Sequence, residues 1–304
     1  MKLGFVSAIL ADLSFEEVIT FASDNGFSCV EFLCWPVGKA ERRYAGVTHI
    51  DVARADDNTI KYIKDFTKEK GVEISALGYY PNPLDPDPEK REFYAEHIKK
   101  VIKTASRLGL KTMNTFVGRD KNKSVEENLK MFKEVWAPIV KYAEENNVQI
   151  GIENCPMLFT NDEWPGGCNL ATTPAIWRQM FEIIPSKNFG LNYDPSHLLW
   201  QQIDYIKPLY EFKDRIFHIH IKDCKIFKDK LNECGIMAVP LAYHSPKLPG
   251  FGDIKWGKFI SALTDIRYSG CTVIEVEDKA FEDTLDDRKK SLLLSKKYMS
   301  QFII

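Results

Sequence analysis

The chain has 304 residues, with 41 Lys and Arg against 43 Asp and Glu and a net charge of −2 at neutral pH. So even a balance leaves no broad positive field of the kind that dominates nucleic-acid binding, and no run approaches the roughly 20 apolar residues of a membrane-spanning helix. Neither a nucleic-acid nor a membrane partner is expected, which leaves a small or neutral molecule as the favoured partner.

The opening MKLGFVSAILADLSFEE carries one lysine and a short apolar run followed at once by acids, with no small-x-small cleavage pattern, so it reads as a first strand rather than a targeting signal. Strands are then expected at 2–9, 28–35, 72–80, 111–118, 148–155, 189–196, 216–223 and 272–278, each a short apolar or alternating run. Helical periodicity fills the intervals, at 14–26, 58–71, 88–109, 124–147, 173–185, 204–215 and 253–270, with a last helix at 283–302. Ser14 followed by Glu17 reads as a capping box, and Gly26, Gly71, Gly109 and Gly270 stand where helices should stop.

Eight strand-then-helix units with no compositional linker predict a closed (β/α)8 TIM barrel, one domain over 1–304. Such a barrel commonly takes about 250 residues or more. The longer interruptions, 36–55, 156–171 and 225–252, all follow strands, on the face where barrel enzymes build their sites. The seven cysteines, without CxxC pairs, fit reduced thiols and a cytoplasmic location better than a disulfide framework.

The run HIHIKD at 218–223 places His218, His220 and Lys222 on one face of a strand and Ile219 and Ile221 on the other. The same oddity, an ionisable group in apolar company at a strand's C-terminal end, recurs at Glu153 in IGIEN, Asp194 in NYDPSH and Glu275 in VIEVED. In a barrel these ends converge on one mouth. Three carboxylates and an imidazole buried together are costly unless a cation compensates them. A divalent metal is therefore expected on Glu153, Asp194, His220 and Glu275. An oxygen-rich set with one nitrogen and no thiolate suits Mn²⁺, Co²⁺, Mg²⁺ or Zn²⁺, and softness alone does not choose among them; Mn²⁺ is the ion expected. Strand parity does not choose between His218 and His220, and Glu277 lies on the face of Glu275 but nearer the lip. Lys222 points with His220, toward a substrate oxyanion or a ligand carboxylate, and His197 stands at the loop edge for substrate.

The runs IGIEN, DPSHL, HIHIKD, LPGFGDIKW and YSGCTVIEVED together resemble the sugar phosphate isomerase/epimerase family of xylose isomerase-like TIM barrels, which includes ketose 3-epimerases and inosose dehydratases. The resemblance covers essentially the whole chain. It implies one divalent metal held by Glu153, Asp194, His220 and Glu275, with His197 contacting a substrate hydroxyl. It also implies catalytic roles for Glu153 and Glu275, one removing the proton alpha to a carbonyl and the other returning it through an enediolate. The expected activity is that of a sugar isomerase or epimerase acting on a sugar or cyclitol.

The family's ketose 3-epimerases carry an arginine shortly beyond the HxH strand. Here Lys222, Asp223 and Lys225 stand there instead, followed by a long loop with His244. A lyase or dehydratase acting on a 3-keto sugar, keto-glycoside or inosose is thus the runner-up, and a non-catalytic sugar-binding barrel the distant third. Trp35, Tyr79, Tyr80 and Trp164 suggest an aromatic mouth for stacking on a sugar, with Trp35 and His244 joining His197 and Lys222 as substrate contacts. Six histidines, with His97 in a helix and His49 beyond the second strand, are too few for the trinuclear zinc cluster of the superfamily's nucleases. PGFGD reads as a turn, not a phosphate loop. The exposed helices of such barrels often carry subunit contacts, so a homo-oligomer is compatible with the pattern.

Overall fold

A computed structural model describes residues 1–38, 45–158 and 167–303. Its strands, in chain order, are β1 (Lys2–Val6), β2 (Cys29–Leu33), β3 (Glu73–Gly78), β4 (Thr112–Thr115), β5 (Gln149–Glu153), β6 (Phe189–Tyr193), β7 (Ile216–Ile221), β8 (Asp223–Ile226), β9 (His244–Lys247) and β10 (Cys271–Ile274). All but β8 and β9 form a closed parallel barrel in the order β1-β10-β7-β6-β5-β4-β3-β2. Closure is made at β1, which pairs Gly4 with Cys29 on one side and Lys2 with Cys271 on the other. The TIM barrel expected from alternation is therefore the observed fold.

The helices are α1 (Phe15–Asp24), α2 (Asp57–Lys70), α3 (Pro88–Leu108), α4 (Val125–Glu145), α5 (Pro174–Ile183), α6 (Pro195–Trp200), α7 (Lys207–Glu211), α8 (Lys228–Cys234), α9 (Trp256–Asp265) and α10 (Leu285–Met299). Ser14 forms the expected capping box with Glu17, and Ser124 forms a second with Glu127. Gly71 and Gly109 end α2 and α3 in the left-handed region, at φ 67° and 79°, where a Cβ is disfavoured.

Three expectations are corrected. The barrel strands stop short of their expected C-terminal ends; β6 ends at Tyr193 because Asp194 caps α6. His197 therefore sits on a helix and not on a loop edge. The helix expected over 204–215 is reduced to α7 and a short 3-10 turn at Lys213–Arg215. The interruption at 225–252 contains α8 and one strand of the antiparallel β8–β9 hairpin. Asp223 fastens that hairpin to the PGFGD turn: its carboxylate accepts from the Gly250 and Ile254 amides at 2.9 and 3.1 Å and from Trp256 Nε1 at 2.9 Å.

Apolar packing lies mainly between sheet and helices, with Trp136, Trp177, Trp256, Phe132, Phe189 and Phe259 fully buried there. Inside the barrel the filling is mixed. Val6, Leu33, Phe116 and Val273 form a small apolar cluster, but Glu31, Asn114, Asn192, His218 and His220 are buried in the same space. Two glycines make room for them. A Cβ at Gly78 would lie 2.6 Å from Glu31 Oε1, and one at Gly151 would lie 2.5 Å from Asn114 Oδ1. None of the described helices is long and apolar enough to cross a membrane.

Candidate metal centre

Four neighbouring strands deliver one donor each to the mouth. Glu153 is the last residue of β5, Asp194 follows β6, His220 lies near the end of β7, and Glu275 follows β10. One ligand atom from each lies within 4.8 Å of all the others. His220 Nδ1 is 3.3 Å from Glu275 Oε2 and 3.7 Å from Glu153 Oε1. Geometry thus separates the two histidines that parity left tied: His220 joins the carboxylates, and His218 lies deeper in the barrel.

Asp194 is split between two tasks. Its Oδ1 accepts from the Ser196 amide at 2.8 Å, capping α6, which leaves Oδ2 turned to the mouth. Asp194 Oδ2, His197 Nε2 and His220 Nδ1 are buried and have no well-aligned hydrogen-bond partner, although charged groups lie close: Lys222 Nζ is 3.1 Å from Asp194 Oδ2, and the two imidazole nitrogens are 3.3 to 3.7 Å from carboxylate oxygens. Buried polar atoms without an aligned partner are uncommon in a folded interior and call for an explanation. A divalent cation bound by three carboxylates and an imidazole supplies one, and the donor set fits Mn²⁺, Co²⁺, Mg²⁺ or Zn²⁺.

Two asparagines hold the strand ends in place, and sequence reasoning passed over both. Asn154 joins β5 to β6 reciprocally, accepting from the Asp194 amide at 2.8 Å and donating to the Asp194 carbonyl at 2.9 Å. Asn169 donates to the Glu153 and Cys155 carbonyls at 2.9 and 2.7 Å and accepts from the Val117 and Gly118 amides. The signal for Asn154 was its position beside a strand-end acid. For Asn169, in a loop, no local signal existed.

Lys222 is buried among the acids. Its ammonium lies 2.7 Å from Glu275 Oε2, 3.0 Å from Glu277 Oε2, 3.1 Å from Asp194 Oδ2 and 3.9 Å from Glu153 Oε1. Burial pushes its pKa down, but Asp194, Glu275, Glu277 and Glu153 together hold it well above the ordinary lysine value. Burial likewise opposes ionisation of Glu275, yet Lys222 and His220 bring its pKa down to about 2. Glu153 is also lowered: burial works against it, and the neighbouring imidazoles of His197 and His220 with the charge of Lys222 prevail. Burial lowers His220, but Glu31 and Glu275 raise it well above the usual imidazole range. The two candidate catalytic acids are thus carboxylates at neutral pH.

His197 Nε2 lies 3.4 Å from Asp194 Oδ2 and 3.5 Å from Glu153 Oε1, and Trp200 Nε1 donates to its Nδ1 at 3.4 Å. Together with Cys155 and Glu153 it forms a second close group of ligand-type side chains. His244, on β9, stacks on the Trp200 ring at 5.0 Å and lies near enough to His197, Glu277 and Lys222 to feel their charges, but it is not among the four donors. Trp35 is placed elsewhere. It lines a cavity of about 740 Å³ with Tyr79, Phe93 and Met157, to which none of the four donors contributes. Tyr79 and Tyr80 are buried, the first edge-on to Trp35 and His97, the second hydrogen-bonded to Glu31. Trp164 lies outside the described residues. His97 and His49 contact the backbone carbonyls of Cys34 and Leu10 and do not reach the mouth.

The protein YfiH of Bacillus subtilis (strain 168), itself uncharacterized, is 25% identical to this chain over 310 residues, covering 91% of the chain and 93% of YfiH. Inosose dehydratase of Geobacillus thermodenitrificans (strain NG80-2) is 27% identical over 197 residues, 51% of this chain and 65% of that protein. Among solved structures, D-psicose 3-epimerase of Clostridium cellulolyticum H10, determined with D-tagatose, superposes with a TM-score of 0.71 at 15% identity, over 100% of this chain and 99% of the epimerase. The model of the xylose isomerase-like TIM barrel family matches residues 19–298, and the chain belongs to that family.

Proposed function

We propose that this protein is a divalent-metal-dependent sugar isomerase or epimerase that moves a proton alpha to a carbonyl through an enediolate. The observation that carries the reading is the convergence of Glu153, Asp194, His220 and Glu275 within 4.8 Å, with buried polar atoms of Asp194, His197 and His220 lacking well-aligned hydrogen bonds at the same spot. A cation held there would polarise the substrate carbonyl and favour the enediolate. Glu153 and Glu275, at the ends of strands separated in the barrel by β6 and β7, are the acid–base pair: one, as a carboxylate, accepts the substrate proton, and the other must enter the step protonated so that it can deliver a proton to the enediolate. His197 and Lys222 orient substrate hydroxyls. Family membership and the likeness to a ketose 3-epimerase support the substrate class.

A second reading follows from Lys222, whose ammonium 2.7 Å from Glu275 is a proton donor beside the proposed base. With the proton removed by one carboxylate, that ammonium could protonate a departing hydroxyl, and the reaction becomes a dehydration. The partial likeness to inosose dehydratase accords with it.

The test is solvent deuterium incorporation into a panel of ketoses, inososes and 3-keto glucosides, with and without chelator. Chelator-sensitive incorporation with recovery of an isomer supports the isomerase; release of water or an aglycone moves the assignment to a lyase. Glu153→Gln and Glu275→Gln should each lower turnover by about 10²- to 10⁴-fold. A Gln variant with undiminished turnover refutes that carboxylate's role.

A further inference from the structure

Beneath the mouth, Glu31 is fully buried in the middle of β2, and nothing in the reading above uses it. It is a carboxylate inside the barrel, 189 residues from the histidine it meets: His220 Nε2 lies 2.9 Å from its Oε2. Its Oε1 accepts from the Tyr80 hydroxyl, and Gly78 leaves the space it occupies.

His220 has two nitrogens and two demands on them. Nδ1 faces Glu153 and Glu275, so ligation through it requires a free lone pair there, which in the neutral ring puts the hydrogen on Nε2. Nε2 also lies 2.9 Å from the Asn192 amide nitrogen, which can only donate. Asn192 cannot present its oxygen instead, because that oxygen bonds His218 Nδ1 at 3.0 Å, and His218 Nε2 in turn meets Ser75 Oγ at 3.1 Å. With Asn192 alone, Nε2 would serve as acceptor and the hydrogen would move to Nδ1, blocking the mouth-facing lone pair. Only an acceptor opposite Nε2 reverses this. Glu31 is that acceptor.

We infer that Glu31 is a positioning residue: by accepting the Nε2 hydrogen of His220, it selects the tautomer whose Nδ1 can hold the metal. This rests on the proposed reading of His220 as a ligand. A carboxylate behind a ligating histidine commonly changes metal affinity by 10- to 100-fold.

The experiment is a Zn²⁺ titration against a competing chelator for the wild-type chain and for Glu31→Gln, Glu31→Leu and His220→Gln. Long-range ¹H–¹⁵N spectra of the zinc-loaded proteins report which imidazole nitrogen carries hydrogen. Glu31→Leu is expected to weaken zinc about 10- to 100-fold, and Glu31→Gln, which keeps an acceptor oxygen, by less. The wild-type spectrum is expected to show hydrogen on Nε2 of His220. If Glu31→Leu does not fold, Glu31→Gln with Gly78→Ala, whose new Cβ crowds Glu31, serves the same comparison. Wild-type zinc affinity in folded Glu31 variants, with His220→Gln impaired, overturns the inference and leaves the metal reading standing. Wild-type affinity in His220→Gln overturns both.

Discussion

Replacing Lys222 by Met keeps most of its length and removes the ammonium that lies 2.7 to 3.9 Å from Glu153, Asp194, Glu275 and Glu277. Removing one partner of a buried ion pair costs about 3–5 kcal/mol, because the remaining charge keeps its desolvation penalty and loses its compensation. A chain of 304 residues has an unfolding entropy of about 0.6 kcal/mol/K, so the metal-free variant should melt about 5–8 °C below wild type. With a saturating divalent cation the deficit should shrink, since the cation then compensates the same carboxylates and no longer competes with an ammonium. The metal dissociation constant of the variant should accordingly be lower than that of wild type. The penalty should also diminish as pH falls and the unpaired acids take up protons. Scanning calorimetry of both proteins in chelator and in Mn²⁺ or Zn²⁺, from pH 5 to pH 8, checks this. Equal melting of the two metal-free proteins at neutral pH refutes the premise that Lys222 holds the acids together.

Asn154→Ala removes both bonds between the ends of β5 and β6 and should cost about 1–3 kcal/mol together with a weaker metal site; a lower melting point with unchanged metal affinity would count against its positioning role. Gly78→Ala puts a Cβ 2.6 Å from Glu31 Oε1 and 2.9 Å from Leu33 and Tyr80, an overpacking of about 1–3 kcal/mol, measurable by urea unfolding. His218 is held neutral, because burial lowers its pKa to about 4 despite Glu31 nearby. Its folded-state pKa lies below the unfolded value near 6.5, so the unfolded chain binds more protons and stability is lost as pH falls from about 6.5 to 4, by about 3 kcal/mol. In chelated protein, wild type should lose this increment of urea stability over that window, and His218→Gln should not.

The barrel was legible because its signals are local. Alternation, caps and glycine stops each act over a few residues, and eight repeats of them leave little choice of architecture. The errors arose where one local signal masked another. FGLNYDPS, 189–196, has the pattern of a continuous strand, although Asp194 followed by Pro195 is also a helix start, with a capping acid and a proline at the first helical position. The β8–β9 hairpin was missed for the opposite reason: His244–Lys247 is half-exposed and contains Pro246, so it lacks the apolar alternation that marks a strand and is tolerated because it pairs on one edge only.

The mouth residues were legible for a different reason, namely that an ionisable side chain in an apolar strand is conspicuous in any sequence. Glu31 in CVEFL has the same signature, yet it sits in mid-strand, where convergence on the mouth gives no argument. What makes it meaningful is that closure brings β2 within reach of β7 across the barrel interior, with Gly78 on β3 leaving the gap. None of these relations is encoded within a window of neighbouring residues. A strand-end acid announces a site by its position in one repeat, whereas an acid in the barrel's interior acquires its role only from the strands that surround it. Buried charges in the middle of barrel strands therefore need to be read against the opposite strands, and here that reading links Glu31 to the orientation of His220.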